Sequence, residues 1–215
     1  MVLSEYLLVR NPELYTRWAE AGLDMILVGL ESEDPVELKR VNKGSRVGVN
    51  EQAIELLHSL GIKVWGAQIV FADATEDRFK RLKEYNLAHH VETPQFTIHT
   101  PLPGTVDWET YRDQLITTER RYFDFLHLVM PTAMPGMTID KFIELYIDLY
   151  RHCHMGKDEL DAEVKAGRIT AAAARAFIRK FVHLLRPENF QDTIDLHHAY
   201  WAGKLERKPG GLVMV

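Results

Sequence analysis

The sequence is poor in cysteine. Cys153 is the only one in 215 residues, which excludes an internal disulfide and any metal centre built from several thiolates of this chain. Long hydrophobic runs are missing too. None approaches the roughly 20 apolar residues needed to span a bilayer. The opening MVLSEYLLVRNPEL has neither a basic segment nor a small-residue cleavage site, so it does not read as a signal peptide. These features together predict a cytoplasmic protein. A basic surplus is also lacking. The net charge is −5 and Lys and Arg are scattered, whereas nucleic-acid binders usually gather them on one face. Nucleic acid therefore ranks low as a partner.

Alternating helix and strand signals are present over the first two-thirds. Asn11-Pro12 is a helix start, with Leu14, Trp18 and Ala21 on one face and Gly22 as the stop. Residues 25–30 form a strand. Asn50 is placed to cap a second helix, with Ala53, Leu57 and Leu60 on its buried face and Gly61 at its end. Residues 63–71 form a second strand. Thr75-Glu76-Asp77 opens a third helix whose apolar face carries Phe79 and Leu82. Residues 95–100 form a third strand, closed by the turn sequence PLPGT. An earlier strand within LSEYLLV would make four.

This alternation predicts βαβ units and a parallel sheet. Four strands are too few for a closed barrel, which takes about 250 residues. The expected fold is α/β: a partial (β/α) barrel of about three to four parallel strands, followed by a helical C-terminal region. Residues 1–135 would form the barrel part and residues 136–215 the extension. Within the extension, residues 138–154 are helical by period, with Phe142, Leu145, Tyr146 and Leu149 on one side. Residues 158–185 read as further helices split near Gly167 and Thr170. The Lys208-Pro-Gly-Gly tail reads as loose.

Each strand has one apolar parity and one that mixes small and polar residues. Ile26, Val28 and Leu30 oppose Leu27, Gly29 and Glu31. Ala67, Ile69 and Phe71 oppose Gly66, Gln68 and Val70. Phe96 and Ile98 oppose Gln95, Thr97 and His99. The apolar parity should pack under helices and the mixed parity should line an interior. The polar residues sit toward the C-terminal strand ends, where (β/α) proteins bind ligands. Satisfied core groups are the plainer explanation for any single strand. Glu31 could also cap a helix or pair with Lys39 or Arg40, effects of about 0.3–1 kcal/mol.

Four stretches in order carry a resemblance: AGLDMILVGLES (residues 21–32), LKRVNKG (38–44), LGIKVWGAQIVFADATEDRF (60–79) and FTIHTPLPGT (96–105). YFDFLHLVMPTAMP (122–135) follows as a closing segment. Over residues 3–150 the chain resembles the radical SAM superfamily. Within it, the likeness is to the cobalamin-binding branch, and it leans toward the hopanoid C-3 methylase type. The resemblance implies a partial barrel holding S-adenosylmethionine across the C-terminal strand ends. Glu31 and Ser32 would contact ribose or methionine. Gln68 and Val70 would lie beside adenine and ribose. His99 and Thr100 would border adenine and substrate. In the parent enzymes a [4Fe–4S] cluster and cobalamin take part, and the outcome is radical-based methyl transfer to an unactivated carbon of a small or lipid-like substrate.

The departure from the family pattern is large. The CxxxCxxC loop that ligates the cluster is absent, as are the glycine-rich methionine-binding segment and a cobalamin domain. The expectation is a C-terminal half that is inactive alone, its N-terminal half lying upstream or on a partner chain carrying CxxxCxxC. Such a half barrel should oligomerise or dissolve poorly. Two alternatives stand beside it: a non-catalytic module pairing with a separate half, and an unrelated (β/α) enzyme using Glu31 and His99 as acid and base. No catalytic residue and no metal site is assigned. His152, Cys153 and His154 point in different directions on a helix, so a metal site there would need ligands from elsewhere, and a structural or surface role is the expectation. The pairs His89-His90 and His197-His198 read as solvated helix ends.

Overall fold

The computed structural model describes residues 3–4, 9–41, 48–153, 164–167, 170–172, 185–208 and 211–214. Strands β1 (Leu3–Ser4), β2 (Met25–Glu31), β3 (Lys63–Val70) and β4 (Thr93–Ile98) form one sheet in the order β1-β2-β3-β4. β1 pairs parallel with β2, and β2 parallel with β3. Sequence order equals spatial order, so the sheet winds in one direction with no reversal point. That is the pattern of a (β/α) barrel wall rather than of a doubly wound sheet. The predicted α/β class with parallel strands is what the chain adopts.

The helices are α1 (Pro12–Glu20), α2 (Pro35–Arg40), α3 (Val49–Ser59), α4 (Glu76–Ala88), α5 (Val106–Tyr111), α6 (Ile139–Cys153) and α7 (Gln191–Trp201). The chain divides into two compact units. The first comprises Met1–Ile69, Lys80–Phe96 and Leu149–Glu159, and the second Val70–Phe79, Thr97–Asp148 and Leu160–Val215.

In the first unit Ile26, Val28 and Leu30 of β2 and Val64 of β3 pack with Ala53, Ile54 and Leu57 of α3, Tyr15 of α1 and Val91. α1 turns one residue away from the predicted face. Tyr15 is buried, whereas Leu14 is 41% exposed, because Tyr15, Trp18 and Ala19 make the stripe that meets the sheet. Gly22 and Gly61 adopt positive φ, 98° and 72°, and end α1 and α3 as expected. Burial of Leu57, 0% exposed, makes truncation to Ala costly by about 2–5 kcal/mol.

The parity expectation holds in β2 and β4 and reverses in β3. Gly66, Gln68 and Val70 are the buried set, while Ala67 and Ile69 are half-buried and Trp65 is 39% exposed. Close packing explains the glycine. A Cβ on Gly66 would lie 2.7 Å from Leu30 Cδ1 and 2.9 Å from Val91 Cγ1. Gly66 is small because its neighbours fill the space, not because it faces an open interior.

β4 begins two residues earlier than predicted and includes Pro94. Proline is tolerated there because β4 is the last strand of the sheet and the missing N–H belongs to its outer edge. At Phe96 that edge is closed by a side chain. The Tyr150 hydroxyl accepts from Phe96 N–H at 3.0 Å and donates to Phe96 O at 2.6 Å.

In the second unit, the N–H of Ile98 donates to Phe125 O at 2.7 Å. Phe142 and Tyr146 of α6 are 0% exposed. Phe142 meets Phe79 edge-on, and Tyr146 meets Phe190 in the same way. Two expectations are corrected in this unit. His197 is fully buried, not solvated. Its Nε2 donates to Leu128 O at 3.1 Å, and burial pushes its pKa down to about 4. The tail is paired, not loose. β5 (Leu205–Lys208) runs antiparallel to β6 (Gly211–Met214), with Lys208 opposite Gly211. The helices expected over residues 158–185 fall mostly outside the described residues, as do NKG (residues 42–44) and His154.

Candidate functional site

β2 does not end as a regular strand. Glu31 has φ of 58°, a left-handed value that a residue with a Cβ seldom adopts. Ser32 N–H donates to Leu30 O at 2.7 Å and closes an i to i+2 turn around Glu31. A turn of that size with positive φ at its centre is rare and strained. The register slips at the same place: Gly29 lies opposite Ala67, but Glu31 lies opposite Gln68. Strand-end irregularities of this kind re-aim a side chain.

Asn50 was expected as a helix cap. Instead α3 starts at Val49 after Gly48, whose φ is 87°, and Asn50 turns inward. Its Nδ2 donates to Leu30 O at 3.1 Å and to Ser32 O at 3.0 Å. The buried amide therefore grips the chain on both sides of Glu31.

Ser32 is buried as well. Its hydroxyl donates to Glu37 Oε2 at 2.7 Å and accepts from Asp34 N–H at 2.9 Å. Asp34 in turn caps α2 by accepting from Val36 N–H at 2.8 Å, and it pairs with Arg81 Nη1 at 3.2 Å. Gln68 is 0% exposed. Its Oε1 accepts from Asn86 Nδ2 at 2.7 Å, and Asn86 Nδ2 also donates to Leu82 O at 2.7 Å. Tyr85 lies in the same unit. Burial, and then the neighbouring Glu51 charge, pushes its phenol well above the usual range and keeps it protonated. The structure thus brings Glu31, Ser32 and Gln68 together at the C-terminal ends of β2 and β3. It adds Asn50, expected only as a helix cap, and Asn86, which the sequence did not single out.

Val70, His99 and Thr100 belong to the second unit. His99 N–H donates to Val70 O at 2.9 Å. Thr100 is buried, and its hydroxyl donates to Ile98 O at 2.9 Å. His99 is 7% exposed. Its Nε2 lies 2.9 Å from Asp107 Oδ2, and its ring packs on Phe71 and Tyr111. A carboxylate at that distance fixes the tautomer with hydrogen on Nε2.

No group of three or more His, Cys, Asp or Glu side chains suited to a metal ion occurs among the described residues. Cys153 is buried, with Sγ 4.0 Å from Lys83 O. A [4Fe–4S] cluster held by three thiolates therefore does not fit this chain alone. Among the described residues, no helix is long and apolar enough to cross a membrane.

No family model matches the chain. Over 128 residues, 60% of the chain, it is 34% identical to hopanoid C-3 methylase of Methylococcus capsulatus, covering 25% of that protein. Over 151 residues, 69% of the chain, it is 29% identical to bacteriochlorophyllide d C-12(1)-methyltransferase of Chlorobaculum tepidum, covering 32% of it. Over 192 residues, 83% of the chain, it is 24% identical to anaerobic magnesium-protoporphyrin IX monomethyl ester cyclase of Rubrivivax gelatinosus, covering 34% of it. The chain thus spans about a third or less of the length of these relatives. It is a parallel α/β protein. It is similar, at modest identity and over part of its length, to methyl-transferring enzymes and a cyclase.

Proposed function

We propose that this chain is one half of a radical SAM-type (β/α) barrel and carries part of its S-adenosylmethionine contact. The cluster ligands would come from an N-terminal half or a partner chain bearing CxxxCxxC. The observation that carries the reading is the strained turn that presents Glu31 at the C-terminal end of β2. A carboxylate there can accept hydrogen bonds from ribose hydroxyls or an ammonium group. Ser32 and Gln68, whose polar groups are engaged by Glu37 and Asn86, support the strand ends from below. Bound S-adenosylmethionine supplies the methyl or the radical precursor. The residues of this chain orient it.

The parent reaction proposed is cobalamin-assisted methyl transfer to an unactivated carbon of a small or lipid-like substrate. The methylase and methyltransferase relatives support that reading. Titration calorimetry of the full chain with S-adenosylmethionine tests it. Binding that weakens about tenfold, or about 1.4 kcal/mol, in Glu31→Gln is expected. No binding, or equal affinity in the variant, would refute the reading.

A further inference from the structure

We propose that Asn50 is a positioning residue, whose side-chain amide holds the turn that aims the Glu31 carboxylate. Three observations converge on it. Glu31 is left-handed, with φ of 58°. Ser32 N–H reaches back to Leu30 O at 2.7 Å across it. Asn50 Nδ2 lies 3.1 Å from Leu30 O and 3.0 Å from Ser32 O, and Asn50 is 4% exposed.

Extended backbone at Glu31 would let the regular alternation of the strand decide where the side chain points. The positive φ overrides that alternation, and something must hold it. Among the described residues, the two others with side chains at positive φ have local reasons. His90, at 50°, follows the C-terminus of α4, where a left-handed residue is a common stop. Phe125, at 65°, sits in a turn that Asp124 closes by accepting from Leu126 and His127 N–H. The support for Glu31 comes instead from another element, α3. Asparagine suits the task because one NH2 group can serve two carbonyls. An aspartate could not donate to either.

Only the choice of ligand rests on the functional reading above. The backbone claim stands apart from it. The test uses the full chain, isotope-labelled, as wild type, Asn50→Ala, Glu31→Gln, Glu31→Gly and the double variants. The amide–Hα coupling and the intraresidue amide–Hα Overhauser effect report the sign of φ at Glu31. In Asn50→Ala the positive-φ signature should disappear. Affinity for S-adenosylmethionine should fall about tenfold, as loss of a buried hydrogen-bond pair predicts. Adding Asn50→Ala to Glu31→Gln should weaken binding no further. Glycine takes positive φ at little cost, so Asn50→Ala should lower the melting temperature less in the Glu31→Gly background than in wild type.

Positive φ retained at Glu31 without Asn50 would overturn the proposal, as would additive losses of affinity. Should Asn50→Ala fail to fold, a folded Asn50→Ala/Glu31→Gly chain supports it and an unfolded one overturns it. A wild-type chain that binds no S-adenosylmethionine, yet loses the turn without Asn50, would refute the functional reading and leave the positioning role standing.

Discussion

The Asn50 side chain and the Glu31 backbone form one unit, although nineteen positions separate them in sequence. The amide nitrogen of Asn50 sits 3.1 Å from the carbonyl before Glu31 and 3.0 Å from the carbonyl after it. A strand that stops inside a protein leaves backbone groups to be satisfied, and here α3 supplies the donor. The same contact ties the start of α3 to the end of β2. The candidate site is thus part of the packing between strand and helix, not an ornament on a loop.

The Gln68–Asn86 pair should be coupled. Both residues are buried, and their side chains meet at 2.7 Å. Gln68→Leu or Asn86→Leu alone leaves a buried polar group short of a partner and should cost about 1–3 kcal/mol. The double variant should cost clearly less than the two added together. Urea unfolding of the four proteins measures the coupling energy, and simple additivity would contradict it.

Tyr150→Phe removes one oxygen that serves both backbone groups of Phe96. The expected loss is about 1–3 kcal/mol. The variant should also self-associate more readily, because a sheet edge is uncovered. Unfolding midpoints and sedimentation velocity check both parts. Tyr150→Phe behaving as wild type in both would show that the hydroxyl does not guard the edge.

Buried His197 and half-buried His127 should respond to pH in opposite directions. Burial holds His197 neutral, with a pKa of about 4. The unfolded chain therefore binds its proton first on acidification. The stability linked to His197 is present above about pH 6.5 and is lost as pH falls toward 4, by up to roughly 3 kcal/mol. His127 is raised, chiefly by its 2.8 Å hydrogen bond to Asp124, with further help from the Asp124 charge, Asn189 O and Asp192. Its contribution is complete below about pH 6.5 and is lost as pH rises through the raised folded value. Melting curves of His197→Gln and His127→Gln against wild type, from pH 4 to 8, should show the two differences growing at opposite ends. A parallel pH dependence of all three proteins would contradict this assignment.

Periodicity alone made much of this fold legible. The helices containing Ala53, Leu57, Phe79 and Leu82 follow from apolar spacing, and β2 and β3 follow from short β-rich runs bounded by glycine. Glu31 was legible as a carboxylate at a strand end. Its conformation was not, since no local residue signals positive φ and the cause lies in a helix packed alongside. The parity of β3 was misread because glycine and glutamine look the same whether they face a cavity or a crowded core. Leu30 and Val91 decide that question for Gly66, and Asn86 decides it for Gln68. Pro94 fell just outside the expected strand, and its place within β4 depends on β4 being the last strand of the described sheet. His197 looked like half of a solvated pair, and only the fold shows the Leu128 carbonyl waiting for it.

The closure of β4 gives the sheet a direction of growth. Phe96 presents both its backbone groups to Tyr150, and the Ile98 amide is taken by Phe125. Alternate residues of a strand send their backbone groups to the same side, so these are the bonds that a strand beyond β4 would need. A chain seeking to extend this wall finds that flank stoppered.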